Sequence, residues 1–219
     1  MKEINELQMI KERHSVRSYK KKPLTAEHLA ALNEALDEIN EESGLRMVYV
    51  TETKGVFTSP MMRLIGWRHY PGFIAVIGKD AADREERCGY YGEKLILYLQ
   101  ALGINTCWVG MFKRNAVPVE LAPDEKVVVT IVLGYGNNQG KQHRSKSFED
   151  VTEINTDDIP QWFRNGVECA LLAPTAVNRQ DFKISFDGEN VDFIPTGKGN
   201  ATMTDLGIIK YHFEIGSRQ

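Results

Sequence analysis

Two short segments hold the residues best suited to grip a small charged ligand. In Arg13-His14-Ser15-Val16-Arg17-Ser18-Tyr19, two guanidinium groups and a hydroxyl fall at alternate positions just after an apolar helical pattern. Alternate side chains of an extended chain point to one side, so Arg13, Ser15 and Arg17 can converge on a single anion. The planar fork of arginine matches phosphate oxygens better than the point charge of lysine does. The competing reading is a solvated basic loop that runs on into Lys20, Lys21 and Lys22.

The second segment is Ala173-Pro174-Thr175-Ala176-Val177-Asn178-Arg179-Gln180. Small residues let a backbone approach a flat ring closely, and Asn178 and Gln180 offer donors and acceptors in one plane. Alone, the segment also reads as an Asx-type helix exit. Arg144 and Lys146, two apart in a polar passage, are either a further anion contact or part of a solvated loop.

A rival motif is Gly134-Tyr135-Gly136-Asn137-Asn138-Gln139-Gly140, which follows a strand-like run and nearly spells G-x-G-x-x-G. Its third glycine comes one position late. The residues beyond it, Lys141 to Lys146, lack the amphipathic helix whose N-terminus would receive a pyrophosphate, which argues against a nucleotide-dependent dehydrogenase. Cys88, Cys107 and Cys169 show no Cys-x-x-Cys spacing, and the five histidines form no His-Glu-x-x-His pattern, so no metal site is expected.

The elements that must position these groups follow from periodicity. Ile4, Leu7 and Ile10 recur at helical spacing, and a second helix opens at Thr25 to Glu27 and continues through Leu29, Leu32, Leu36 and Ile39. Strands are expected at Leu45 to Thr51 and Gly72 to Ile77, and a strand or extended turn at Thr106 to Met111. A helix marked by Tyr91, Leu95, Tyr98 and Leu102 should stop at Gly103. The continuous apolar run Val127 to Leu133 suits a central strand covered on both faces. A polar passage then extends to Asp158. It is followed by an amphipathic helix from Ile159 to Leu171, a hairpin around Asp187-Gly188 and a last helix over Leu206 to Phe213 beginning near Thr204. The fold class is therefore α/β or α+β. Leu-Gly-Ile at 102–104 and again at 206–208 hints at a shortened internal repeat, or at chance.

With 219 residues, 42% hydrophobic and 26% charged, the chain has the makings of one compact domain, 1–219. A formal charge of −3 gives no overall pull toward nucleic acid or anionic membrane, so any anion site must be local. The N-terminal residues are polar and do not read as a secretory signal. Val127 to Leu133 falls far short of the ~20 apolar residues of a membrane span. Cytoplasmic location is expected, and the odd number of scattered cysteines fits a reducing compartment.

Taken together, the two segments resemble the nitroreductase family of flavoproteins. Arg13 to Tyr19 matches its R-R/H-S-V/T-R/K-x-Y/F motif, and Ala173 to Gln180 matches its A-P-S/T-x-x-N-x-Q motif, though Asp181-Phe182 stands where Pro-Trp is common. The likeness extends through Tyr91 to Gly110 and Gly134 to Val151. It implies a central, mainly antiparallel sheet flanked by helices, and FMN as cofactor. By the resemblance, Arg13, His14, Ser15 and Arg17 hold the phosphate and ring edge, with Arg144 and Lys146 completing the phosphate site. Trp108-Val109-Gly110 lies along the reactive ring edge, although Trp108 reads equally well as a core aromatic. Pro174, Thr175, Asn178 and Gln180 cover the flavin.

In the family the covering segment usually follows the first helix, whereas here Glu41 to Gly44 stands in that place. The arrangement resembles a homodimer folded into one chain, with a first half, 1–151, carrying the phosphate motif and a shortened second half, 152–219, carrying the cover. One FMN per chain is expected, in a monomer or weak homodimer. The implied activity is hydride transfer from NADH or NADPH to a small oxidant such as a nitroaromatic or quinone, with Arg17 as the catalytic candidate that stabilises negative charge on the reduced ring. The alternative is a non-enzymatic FMN-binding or flavin-sensing protein.

Overall fold

The computed structural model describes residues 1–58, 69–156 and 158–219. Local signals in the sequence set most element ends. Helix α1 (Glu6–Glu12) starts where the Asn5 side chain accepts from Gln8 N, and α2 (Ala26–Ser43) starts where Thr25 accepts from His28 N. Helix α2 ends on Gly44 at φ +66, and α3 (Arg84–Ala101) runs out two residues before Gly103 at φ +75, each glycine supplying a left-handed turn.

Strands β1 (Arg46–Val50), β2 (Gly72–Lys79), β3 (Asn105–Val109) and β4 (Glu125–Gly134) form one antiparallel sheet in the order β1-β2-β4-β3. The two middle strands are the continuous apolar runs, as burial on both faces requires. Ile74 and Val76 pack toward α2 and α3, while Phe73, Ala75 and Ile77 face a separate cluster with Val16, Tyr19 and Val56. The sheet is thus coated by α2 and α3 on one side, while on the other the described residues packed against it include Val16, Tyr19, Val56 and Val117.

The second half is a smaller layer. After the single-turn helix α4 (Phe148–Val151) come β5 (Thr152–Ile154), α5 (Gln161–Ala170), β6 (Phe182–Phe186), β7 (Val191–Pro195) and α6 (Asn200–Ser217). Strand β5 pairs parallel with β6, and β6 and β7 form the expected hairpin around Asp187-Gly188. Helix α4 and strand β5 lie inside the polar passage before Asp158, where periodicity marks no element. They are short, and only Val151 among them is fully buried, so they leave little periodic signal. Helix α6 is longer than expected, beginning at Asn200 and ending at Ser217, because its polar first turn and its glycines hide the pattern.

The halves meet where α3 crosses α6. A Cβ on Gly89 would stand 1.9 Å from the carbonyl oxygen of Thr204, and one on Gly207 would stand 1.9 Å from that of Glu86. The contact is reciprocal, each glycine facing the carbonyl three residues before the other. This also corrects the suggested Leu-Gly-Ile repeat. Gly103 is a helix terminator at positive φ, whereas Gly207 sits inside α6 at the crossing, so the two triplets are not equivalent.

In an open helix interior, replacing glycine by alanine raises stability by roughly 0.5–1 kcal/mol. At this crossing Gly89→Ala is expected to do the opposite and to lower it by about 2–3 kcal/mol, because the methyl meets backbone. Urea unfolding checks this, and a stabilised variant would contradict the backbone contact.

Candidate anion-binding site

Helix α1 ends at Arg13, whose backbone turns extended, and the next residues are clamped on both sides. Val16 N donates to Thr106 O of β3 at 3.0 Å, while Val16 and Tyr19 are fully buried. On the other side lies the loop after β4. Lys20 N donates to Tyr135 O at 2.7 Å, Asn137 N donates to Ser18 O at 2.9 Å, and Gly136 N donates to Asn105 Oδ1 at 2.9 Å. Gly140, at φ +75, presses against His14, where a Cβ would meet the His14 Cβ at 2.8 Å. The glycines at 134–140 therefore serve close approach between two chain segments. No helix follows until α4, and the strand they leave belongs to an antiparallel sheet, so a dinucleotide-binding βαβ unit is absent at this loop.

The second segment leaves α5 and makes a tight turn. Ala176 N donates to both carboxylate oxygens of Asp205 on α6, at 3.1 and 2.9 Å, and Gln180 N donates to Thr175 Oγ1 at 3.1 Å. Val177, Asn178 and Gln180 all adopt positive φ, at 49°, 57° and 51°. Such a conformation is strained for a β-branched residue, and Val177 is 82% exposed, so no core packing rewards it.

These two segments converge in a cavity of about 340 Å³. Arg13, His14, Ser15 and Arg17 form one wall, Lys141 and His143 extend it, and Pro174, Thr175, Val177 and Asn178 close the other side. No carboxylate among the described residues lines it. Among the described residues, the side chains of Arg17 and Lys141 form no ion pair or hydrogen bond within the chain. Burial and then Arg13 push the His14 pKa down, and His143 is lowered by burial first and by Arg13, His14 and His212 after it. Both shifts favour the neutral imidazole over the charged one.

Arg13 is 3% exposed and pairs through Nε with Glu93 Oε1 at 3.3 Å. Glu93, on α3, is fully buried and also accepts from Trp108 Nε1 at 2.8 Å and faces His212 Nε2 of α6 at 3.0 Å. Burial alone raises the Glu93 pKa, but Arg13, His212 and Trp108 outweigh it and hold the carboxyl below its usual range.

Seven of the residues expected at the site line the cavity, and the others build its frame. Trp108 spends its N–H on Glu93, Val109 lies in the core, and Gly110 stands outside the cavity lining. Arg144 contributes its carbonyl, which accepts from Asn178 Nδ2 at 2.9 Å and Gln180 Nε2 at 3.0 Å, and Lys146 Nζ donates to Gln180 O at 2.7 Å. Lys141, His143, Val177, Glu93, His212 and Asp205 were not singled out by sequence. Glu93 alone left a trace, since it lies within the buried stripe of α3 with Gly89, Gly92 and Ile96.

From residue 5 to residue 217 the chain matches the family described as "Putative TM nitroreductase", and it belongs to that family. Among solved structures it resembles one described as a putative nitroreductase from Thermotoga maritima, with 21% identity and a TM-score of 0.66 over 100% of this chain and 86% of that one. A nitroreductase family protein from Streptococcus pneumoniae aligns at 13% identity and a TM-score of 0.55, covering 67% of this chain and 98% of the other. A protein from Parabacteroides distasonis described as a putative NADH dehydrogenase/NAD(P)H nitroreductase gives 19% identity and 0.54, with coverage of 68% and 97%. At these identities the likeness is one of fold. No curated protein matches the chain.

The Asp205 latch should be visible in the pH dependence of stability. Burial outweighs the Ala176 hydrogen bond and the attraction of Arg179 and, with a weaker repulsion from Asp181, pushes its pKa up to about 7. The folded state then holds this proton more tightly than the unfolded state does. Its contribution is full below the unfolded value and is lost as pH rises toward about 7. Asp205→Asn keeps an acceptor for Ala176 N but cannot ionise, so between pH 4 and pH 8 it should lose less stability than the parent, by up to about 4 kcal/mol. Parallel urea titrations check this, and identical pH slopes would contradict it.

Proposed function

We propose that the protein is an FMN-dependent oxidoreductase that carries hydride from NADH or NADPH to a small oxidant such as a nitroaromatic or a quinone. Membership of the nitroreductase family supports this reading, and one observation carries it. The cavity where residues 13–17 meet residues 174–178 is lined by Arg13, Arg17 and Lys141, of which only Arg13 has an ion-pair partner among the described residues, with no carboxylate among its described lining and with both walls from a single chain. Its volume of about 340 Å³ lies within the range of small-molecule sites.

A phosphomonoester suits the basic wall. Arg13, Ser15 and Lys141 are assigned to the phosphate, with His14 and His143 able to gain charge beside it. In this assignment Lys141 takes the part that sequence gave to Arg144 and Lys146, whose interactions with residues 178–180 shape the cover turn. Asn178 and Gln180 likewise hold the turn against that passage, while Pro174, Thr175 and Val177 present its face to the cavity. FMN held there would supply the two-electron chemistry between nicotinamide and oxidant, and the residues above would bind and orient it. Arg17, with no partner among the described residues, is the group assigned to stabilise negative charge that develops on reduction.

The site draws on both halves, 1–151 and 152–219, of one polypeptide, so a monomer or weak homodimer is competent. We place the protein in the cytoplasm, where Cys88, Cys107 and Cys169, all free and buried, need no oxidant. No described helix is long and apolar enough to cross a membrane.

Anaerobic addition of NADH or NADPH should bleach the flavin of FMN-loaded protein. A flavin that binds but is reduced by neither would make this a binding or sensing protein instead. Arg17→Ala should lower the FMN midpoint potential more than it weakens FMN binding, because the lost charge matters most once the ring is reduced. An unaltered potential, read by equilibration with reference dyes, would remove Arg17 from that role.

A further inference from the structure

We propose that Glu93 is a positioning residue of the anion site, a buried carboxylate that holds Arg13 by its Nε edge so that the terminal guanidinium nitrogens face the cavity. The proposal rests on the reading of the cavity as a phosphate site. Arg13 Nε is the one sealed side-chain nitrogen or oxygen among the described residues that has no hydrogen bond, and it lies 3.3 Å from Glu93 Oε1. The terminal nitrogens also form no hydrogen bond to a described residue, yet they are not sealed, and Arg13 lines the cavity. The guanidinium is therefore anchored at one edge and open at the other.

Glu93 is itself fixed from two more elements. Trp108 Nε1 of β3 donates to Oε2 at 2.8 Å, and His212 Nε2 of α6 stands 3.0 Å from Oε1. His212 Nδ1 lies 3.1 Å from Cys169 O. A carbonyl only accepts, so Nδ1 donates there and the Nε2 edge is aimed at the carboxylate. Arg13, Glu93 and His212 are each no more than 3% exposed, so the carboxylate is held among fixed partners within the protein while the free edge of Arg13 reaches the cavity. An anion there would pair with that edge.

A merely structural Glu93 would stabilise the fold without acting through Arg13, and a double-mutant cycle on the full-length protein separates the cases. FMN is titrated into cofactor-free protein by flavin fluorescence, with inorganic phosphate as competitor. Arg13→Ala and Glu93→Gln should each weaken both ligands about tenfold, and adding Glu93→Gln to Arg13→Ala should cost less than about twofold more. Glu93→Asp, which keeps the charge one methylene back, should recover part of the loss. An unchanged affinity in Glu93→Gln, or the same loss in both backgrounds, overturns the positioning role. An unchanged affinity in Arg13→Ala overturns the phosphate reading itself. If Glu93→Gln does not fold, His212→Gln enters the same cycle, with an expected loss of about threefold that again vanishes without Arg13.

Discussion

Two helices can approach to backbone contact only where neither carries a side chain, and Gly89 of α3 and Gly207 of α6 meet that condition for each other. One turn further along, this closeness brings Glu93 and His212 within 3.0 Å. A wider crossing would part His212 from the carboxylate and leave Glu93 to Arg13 and Trp108 alone. The same contact sets Arg13, which leans on Glu93, and places the start of α6, with Asp205, under the turn at residues 176–180. The cavity thus inherits its shape from a constraint that lies outside it.

The cover turn is under tension from two sides. Three of the four residues 177–180, Val177, Asn178 and Gln180, hold positive φ there, an arrangement that costs energy at each position. Asp205 below, and the Arg144 and Lys146 backbone alongside, supply the hydrogen bonds that keep it in place. Arg179 and Asp181 close the far end with a 2.6 Å ion pair. A turn held this way presents its backbone and the exposed Val177 to the cavity with little freedom to fold back.

Much of this was legible from sequence because the signals are local. The caps at Thr25 and Gly44, the stop at Gly103 and the unbroken apolar run of β4 each encode an element end or a burial state within a few residues. The two motif segments were legible too, since alternate Arg-Ser-Arg spacing and an amide pair after a helix are chemical patterns. Partnership was not legible. Nothing near Trp108 says that its N–H serves Glu93, and nothing in Asn178 or Gln180 says that their amides are spent on the 144–146 backbone. Such assignments depend on contacts across 15 to 119 positions of chain. Lys141 carries no signal of its own, because it directly follows a glycine loop whose spacing reads as a nucleotide motif.

The central claim is that one chain alone forms a complete FMN site. Analytical ultracentrifugation of FMN-loaded protein, followed in the visible band of the flavin, tests it directly. The account predicts that on dilution the flavin continues to sediment with a 24.8 kDa species at one FMN per chain. Flavin that travels only with a species of twice that mass and is released as it dissociates, or protein that carries no flavin at all, would contradict it.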